Sequence, residues 1–190
     1  MSGHGAEPHE AAEGGNRKIA LLIACLALLL ALAEIGGKQA ENDSVARNIE
    51  ASNLWAFFQA KTIRGTTLRT AAETMETDLA TVTDTAQRER MQKRIEGWKA
   101  TVARYESEPD TQEGRKELMA RAKAAEADRD HLKAKNEKFE ISSGLLQIAI
   151  VIASASIITG IGALVWIAGG LGVLALGFSA LAVLAPHALF

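Results

Sequence analysis

Apolar residues fall into two arrangements along this chain. Over Ile19–Ala33 and from Gly144 to Pro186 they run on with no charge between them. Between Lys38 and Glu140 they recur at helical spacing among 19 Lys/Arg and 19 Asp/Glu residues. The second charge-free stretch has room for two crossings at about 20 residues each. The pattern predicts an all-α membrane protein with three transmembrane helices, over 17–37, 141–163 and 167–188. A long antiparallel, coiled-coil-like helical hairpin over 38–140 is expected between the first and the second. Residues 1–16 contain no apolar run and are expected to form a disordered tail.

Within the charged region the apolar positions mark three helices. Leu68, Ala72, Met75, Leu79, Val82 and Ala86 repeat at four-three spacing, and Met91, Ile95, Trp98, Val102 and Tyr105 do so in another phase. The phase changes near Thr83-Asp84-Thr85. Asp84 suits an N-cap there, with Gln87 three residues on. A second break lies at Glu108-Pro109, since proline disfavours helix in the residue before it. A third helix is expected from Arg115, with Leu118, Ala122, Ala125, Leu132 and Phe139 inward and no stop signal before Ser142. The first helix, Lys38 to Thr83, spans about 70 Å at 1.5 Å per residue, and the other two about 33 and 39 Å. One helix therefore matches two laid end to end. The alternative bends the chain at Gly36-Gly37 or Gly65 and lays part of it along the membrane.

The apolar runs carry small residues at the same four-three spacing: Ala20, Ala24, Ala27 and Ala31 in the first, Ala149, Ala153, Ser156, Gly160 and Ala163 in the second, and Ala168, Gly172, Ala175, Ser179 and Ala182 in the third. Lipid gives helices no hydrophobic drive to associate, so small residues that let backbones approach are expected to line the packing faces. A reversal is expected between Gly160 and Gly170, with Trp166 as an interfacial anchor. Glu34 ends the first run and is expected to pair with Lys38 at head-group level.

Composition narrows the function. A net charge of −2 over 190 residues gives no field for nucleic acid. The single cysteine, Cys25, lies in the first apolar run, so no disulfide framework is expected. His4, His9, His131 and His187 show no metal-ligand spacing. No phosphate loop or nucleophile elbow is present. No catalytic residue, cofactor or metal is expected, and the chain reads as a non-enzyme.

The densest local feature is Ala51-Ser-Asn-Leu-Trp-Ala-Phe-Phe-Gln-Ala-Lys-Thr-Ile-Arg64. Trp55, Phe57, Phe58, Gln59 and Lys61 are its candidate interaction residues, for a partner or a head group. The alternative is a plain aromatic core patch. The box resembles the signature of a family of uncharacterised bacterial membrane proteins known as a domain of unknown function. Ser52, Trp55 and the run from Ala56 to Arg64 match it, with Phe57 and Phe58 where tyrosines are common. The resemblance extends to the layout of one N-terminal crossing, a charged helical region and a C-terminal pair of crossings. It implies a bacterial membrane location and no activity.

The expected function is a non-enzymatic, homo-oligomeric membrane scaffold or accessory subunit. Membrane lipid, further copies of the chain and another membrane protein are its expected partners. The alternative is a channel or transport component built from oligomerised transmembrane hairpins. Lys38, Arg47, Lys123, Arg129, Lys133, Lys135 and Lys138 flank the polar domain, against Arg17 and Lys18 on the other side. That bias places the polar domain in the cytoplasm, and the resemblance implies the bacterial inner membrane, crossed more than once.

Overall fold

The computed structural model describes residues 8–188, with side chains from Asn16 onward. The chain forms four helices: α1 (Pro8–Leu79), α2 (Thr85–Glu106), α3 (Arg115–Thr159) and α4 (Ala163–Leu184). There is no strand among the described residues. Helices α1, α3 and α4 each contain a stretch long and apolar enough to cross a membrane. Of the tail expected to be disordered, residues 1–7 lie outside the described residues, and α1 is under way from Pro8.

The helix ends follow local chemistry. Asp84 caps α2 as its position predicts, accepting from the backbone N–H of Gln87 at 3.1 Å. The preceding helix stops at Leu79 rather than Thr83. Arg88 explains the early stop: its guanidinium donates to the carbonyls of Leu79 (3.2 Å) and Val82 (2.9 Å), which removes the need for further helical turns. At the α2–α3 corner Gln112 takes a left-handed φ of 58°. Gly114 sits so close to Ser107 and Glu108 that a Cβ would lie 2.4 Å from the Glu108 nitrogen. Only glycine fits there. Helix α3 starts at Arg115 and runs unbroken into its apolar half, as the missing stop signal predicts. Helix α1 passes through Gly36, Gly37 and Gly65 without a break.

The chain divides into two compact units, Met1–Ser44 with Asp130–Phe190, and Val45–Arg129. In the first, α1, α3 and α4 share a core of Leu26, Ala33, Phe139, Leu146, Ala149, Ala153, Ala168, Ala175 and Ala182. Most of these residues are small, so the backbones come close. A Cβ on Gly172 would lie 2.7 Å from Leu26, and one on Gly36 would lie 2.8 Å from the Phe139 ring. Ser142 ties α3 to α4, donating to the Ala175 carbonyl at 2.8 Å and lying 2.8 Å from the Ser179 hydroxyl. Gly160, at a φ of 70°, closes α3 by donating to the Ser156 carbonyl, and the chain reverses over 160–162. Ile158 and Trp166 point outward, 87% and 84% exposed, on a surface suited to lipid.

In the second unit the core is Ala51, Leu54, Leu118, Ala122 and Ala125, with Trp55, Phe57 and Phe58 against it. Ala72 of α1 and Ile95 of α2 are buried as well. The inward residues of α2 and α3 named from periodicity are therefore buried or half-buried here: Met91, Ile95, Trp98, Val102 and Tyr105, then Leu118, Ala122 and Ala125.

The close approach at Gly36 gives a test. Gly36→Leu must push a side chain into the Phe139 ring and is expected to cost about 1–3 kcal/mol. Gly144→Ala, where an added Cβ meets nothing within 4 Å, is expected to be neutral or slightly stabilising. Thermal melting of the detergent-solubilised full chain distinguishes them; equal melting temperatures would sink the packing assignment.

Candidate functional site

The aromatic box occupies the middle of α1 in the second unit, and helical geometry splits it into two faces. Trp55, Phe57, Phe58 and Lys61 turn toward the chain's own helices, while Gln59, Ile63 and Arg64 are exposed. The Trp55 indole N–H donates to the Glu126 carboxylate at 2.9 Å, and its ring meets Phe58 edge-on at 5.5 Å. The Arg115 guanidinium lies 5.0 Å above Phe58 and pairs with Glu106 at 2.7 Å. The rings and the indole N–H thus serve contacts within the chain.

Lys61 is the centre of this arrangement. It is only 6% exposed. Its ammonium stands 5.3 Å from the Phe57 ring centroid and 5.2 Å from that of Tyr105, with Glu108 at 3.5 Å and Glu113 at 3.9 Å. A buried ammonium needs such compensation, because desolvation alone would penalise it by several kcal/mol. Of the two basic residues of the box, only Lys61 sits beside the rings. Lys61 is enclosed, and Arg64 points away.

The corner that brings Glu108 to Lys61 is held by Glu117 in the first turn of α3. Its carboxylate accepts from the Ser107 hydroxyl at 2.7 Å and from the Glu108 N–H at 3.1 Å. The Ser107 bond chiefly, then the backbone N–H groups of Glu117 and Glu108 and the charge of Lys116, hold its carboxyl below the ordinary value of 4.5. Desolvation opposes them.

In the first unit the small-residue stripes have distinct fates. Ala149, Ala153, Ser156, Ala168, Gly172 and Ala175 are buried, Ser179 is half-buried, and Gly160 is an exposed turn residue rather than part of the stripe. Ala20, Ala24, Ala27 and Ala31 are all exposed. Leu22, Ile23, Leu26, Leu29 and Leu30 make the contacts of α1 instead. Two small faces cannot fill the space between helices, so the small lining of α3 and α4 takes large side chains from α1.

Beside this core a polar cleft of about 320 Å³ is lined by Glu34, Lys38, Glu41, Asn136, Glu140, Ser143 and Gln147, among others. Lys38 pairs with Glu41 at 2.8 Å, not with Glu34 as expected. Glu34 instead accepts from the Gln147 amide at 3.5 Å. A lysine at the end of an apolar run carries its charge away from that run, which favours the later partner.

Two features were missed in the sequence. His131 and His187 are 56 residues apart, yet their Nδ1 and Nε2 atoms are 3.1 Å apart, joining α3 to the segment after α4. Lys138, counted above as a topology-setting surface charge, is fully buried. No local signal marks the histidine pair, because it depends on where α4 ends. His4 and His9 lie outside the residues whose side chains are described. Among the described residues, no three His, Cys, Asp or Glu side chains are grouped to hold a metal ion.

A family model described as "Domain of unknown function (DUF4337)" matches residues 15–185. The chain belongs to this family. Parts of all four helices fall inside the DUF4337 match, so both units and the aromatic box are parts of one family domain. No curated protein and no solved structure matches the chain.

Within the DUF4337 domain, Lys61→Ala is expected to cost about 1–3 kcal/mol, since it leaves Glu108 underpaired and empties the space between two rings. The exposed Arg64→Ala is expected to stay within about 0.5 kcal/mol of the parent. Chemical denaturation followed by helicity compares the two, and equal losses would show that Lys61 is not a core staple.

The Glu117 shift sets a pH dependence. A carboxylate with a lowered folded value contributes stability above its ordinary value of 4.5, and that contribution is lost as pH falls through the lower folded value. Amide-exchange protection of residues 107–118, corrected for intrinsic rates, should therefore fall in steps below pH 4.5. Glu117→Gln should lack that step. An identical pH profile in both chains would exclude Glu117 as its source.

Proposed function

We propose that this chain is a non-enzymatic, homo-oligomeric scaffold or accessory subunit of a membrane complex. It lies in the bacterial inner membrane with three crossings, and its polar domain is cytoplasmic. One observation carries the reading: a ladder of charged and aromatic contacts joins the polar helices to one another. Arg47 meets Asp128, Trp55 meets Glu126, Lys61 meets Glu108 and Glu76 meets Lys99. The partner's number falls from 128 to 99, through the corner into α2, as the number along α1 rises from 47 to 76. This order supports an antiparallel, coiled-coil-like hairpin between the first and second crossings. Groups locked in this way make a stiff element and leave few reactive ones over for chemistry.

Oligomerisation follows from what such helices cannot bury. Two or three helices cover narrow seams, and isolated helices draw most of their stability from tertiary packing. In the polar unit Val45, Ile49 and Ile63 remain more than half exposed. Neighbouring copies are the simplest cover, and a scaffold that gathers copies needs no catalytic constellation.

The test is the mass of the native particle. The full chain extracted in mild detergent is expected to run as a discrete oligomer, alone or with a stoichiometric membrane partner. A monodisperse monomer with nothing bound would remove the scaffold reading.

A further inference from the structure

We infer that the copies join through one uncharged seam along α1, facing the same seam of a second copy in parallel and in register. The inference rests on the homo-oligomer reading above and names the surface that makes it.

Starting at Ala46 and stepping three, then four, the polar part of α1 presents ten positions up to Thr77. None is charged, nine are exposed, and Ala60 is half-exposed. The two rows that flank it carry Glu50, Arg64, Glu73 and Asp78, and Arg47, Arg69 and Glu76 lie further round the helix, all exposed. Ile49 and Ile63, 56% and 66% exposed, fall on this seam at the same heptad position, two repeats apart. The seven-residue repeat is that of a two-helix supercoil, with Ala46, Ile49, Ala56, Ala60 and Ile63 as its apolar positions and Asn53 and four threonines as its polar ones.

The threonine end of the seam is drier than its composition suggests. The hydroxyls of Thr67, Thr74 and Thr77 donate to the carbonyls of Ile63, Thr70 and Glu73 in their own helix. Their methyl groups are left to face out, so covering them strands no donor. Ile63, Thr66, Thr67, Thr70 and Thr74 line a shallow depression of about 610 Å³ that contains no charged group.

Three considerations identify the occupant as a second copy. Copies in one membrane share one orientation, so their α1 helices run the same way. In a parallel in-register pair, each residue just before the first seam position of a repeat meets the residue five further on in the partner. From Val45 to Ala71 these flanking pairs are Val45 with Glu50, Ser52 with Phe57, Gln59 with Arg64 and Thr66 with Ala71. No like charges meet, and Gln59, the outward member of the aromatic box, gains an arginine partner. Like charges meet only at Glu73 with Asp78, at the far end. Finally, a stable interface uses about 20 residues a side, which the seam and its two flanking rows supply.

Disulfide crosslinking of the full chain in native membranes tests this, in a Cys25→Ser background. Ile49→Cys and Ile63→Cys should each crosslink to the same residue of a neighbour, while Lys123→Cys on exposed α3 should not. The double variant Ile49→Lys, Ile63→Lys should lower the association constant by about tenfold or more. Its helicity should be unchanged, since both side chains are exposed in the single chain. A stable oligomer that crosslinks at Lys123→Cys but not at the isoleucines overturns the seam and leaves the scaffold reading intact. A chain that is monomeric before any substitution overturns both. Oligomers unaffected by the two lysines also overturn the seam.

Discussion

A helix satisfies its own backbone and nothing else, and that limit shapes this protein. Helix α1 has 72 residues. In a protein most of a helix's stability comes from the packing of its side chains, so its persistence depends on which rows find cover. In the first unit cover comes from α3 and α4, with large α1 side chains set against small ones. In the second it comes from α2 and the first half of α3, through a thin core of alanines, two leucines and three rings. Neither set of neighbours encloses the whole circumference of α1.

The thinness of the polar core explains why a lysine is buried in it. A core this narrow cannot draw specificity from volume alone, because alanine seams slide past one another at little cost. Lys61 fixes the register: its ammonium must meet Glu108 and Glu113 between two rings, and only one alignment of α1 against the α2–α3 corner allows that. Trp55 acts likewise through a single directional bond to Glu126. The corner is rigid in its turn, with Gly114 pressed against Ser107 and Glu108 while Glu117 holds both ends. The box motif is therefore legible as a locking element whose outer face is left over.

Features set by neighbours in sequence could be read from it. The Asp84 cap, the start of α3 at Arg115, the unbroken run of α3 and the inward residues of α2 follow from caps, prolines and periodicity. The buried faces of α3 and α4 were legible too, because small residues in apolar runs have few other reasons to recur. Features set by distant geometry were not. The alanine stripe of the first run has the same spacing as the other two, yet it faces outward. Periodicity shows that a face exists and not which neighbour has room for it. Glu34 had a partner at the right helical offset in Lys38 but bonds Gln147, 113 residues away. The His131–His187 contact depends on where α4 ends, which no residue near His131 records.

The same four-three count therefore carries two meanings along this chain, and the solvent decides between them. In lipid, side chains gain nothing by leaving the hydrocarbon, so contact must come from close approach. The stripes that pack are those of Ala, Gly and Ser opposite larger residues. In water, apolar side chains are driven together, and a row that stays uncharged among charged neighbours can be covered without desolvating a charge. The alanines at 20, 24, 27 and 31 meet the first condition only if something larger is set against them. Ile49 and Ile63 meet the second with any uncharged row of equal length. Were copies to pair, only the second kind of face would fix height and direction together, because a heptad seam tolerates no slip smaller than one repeat.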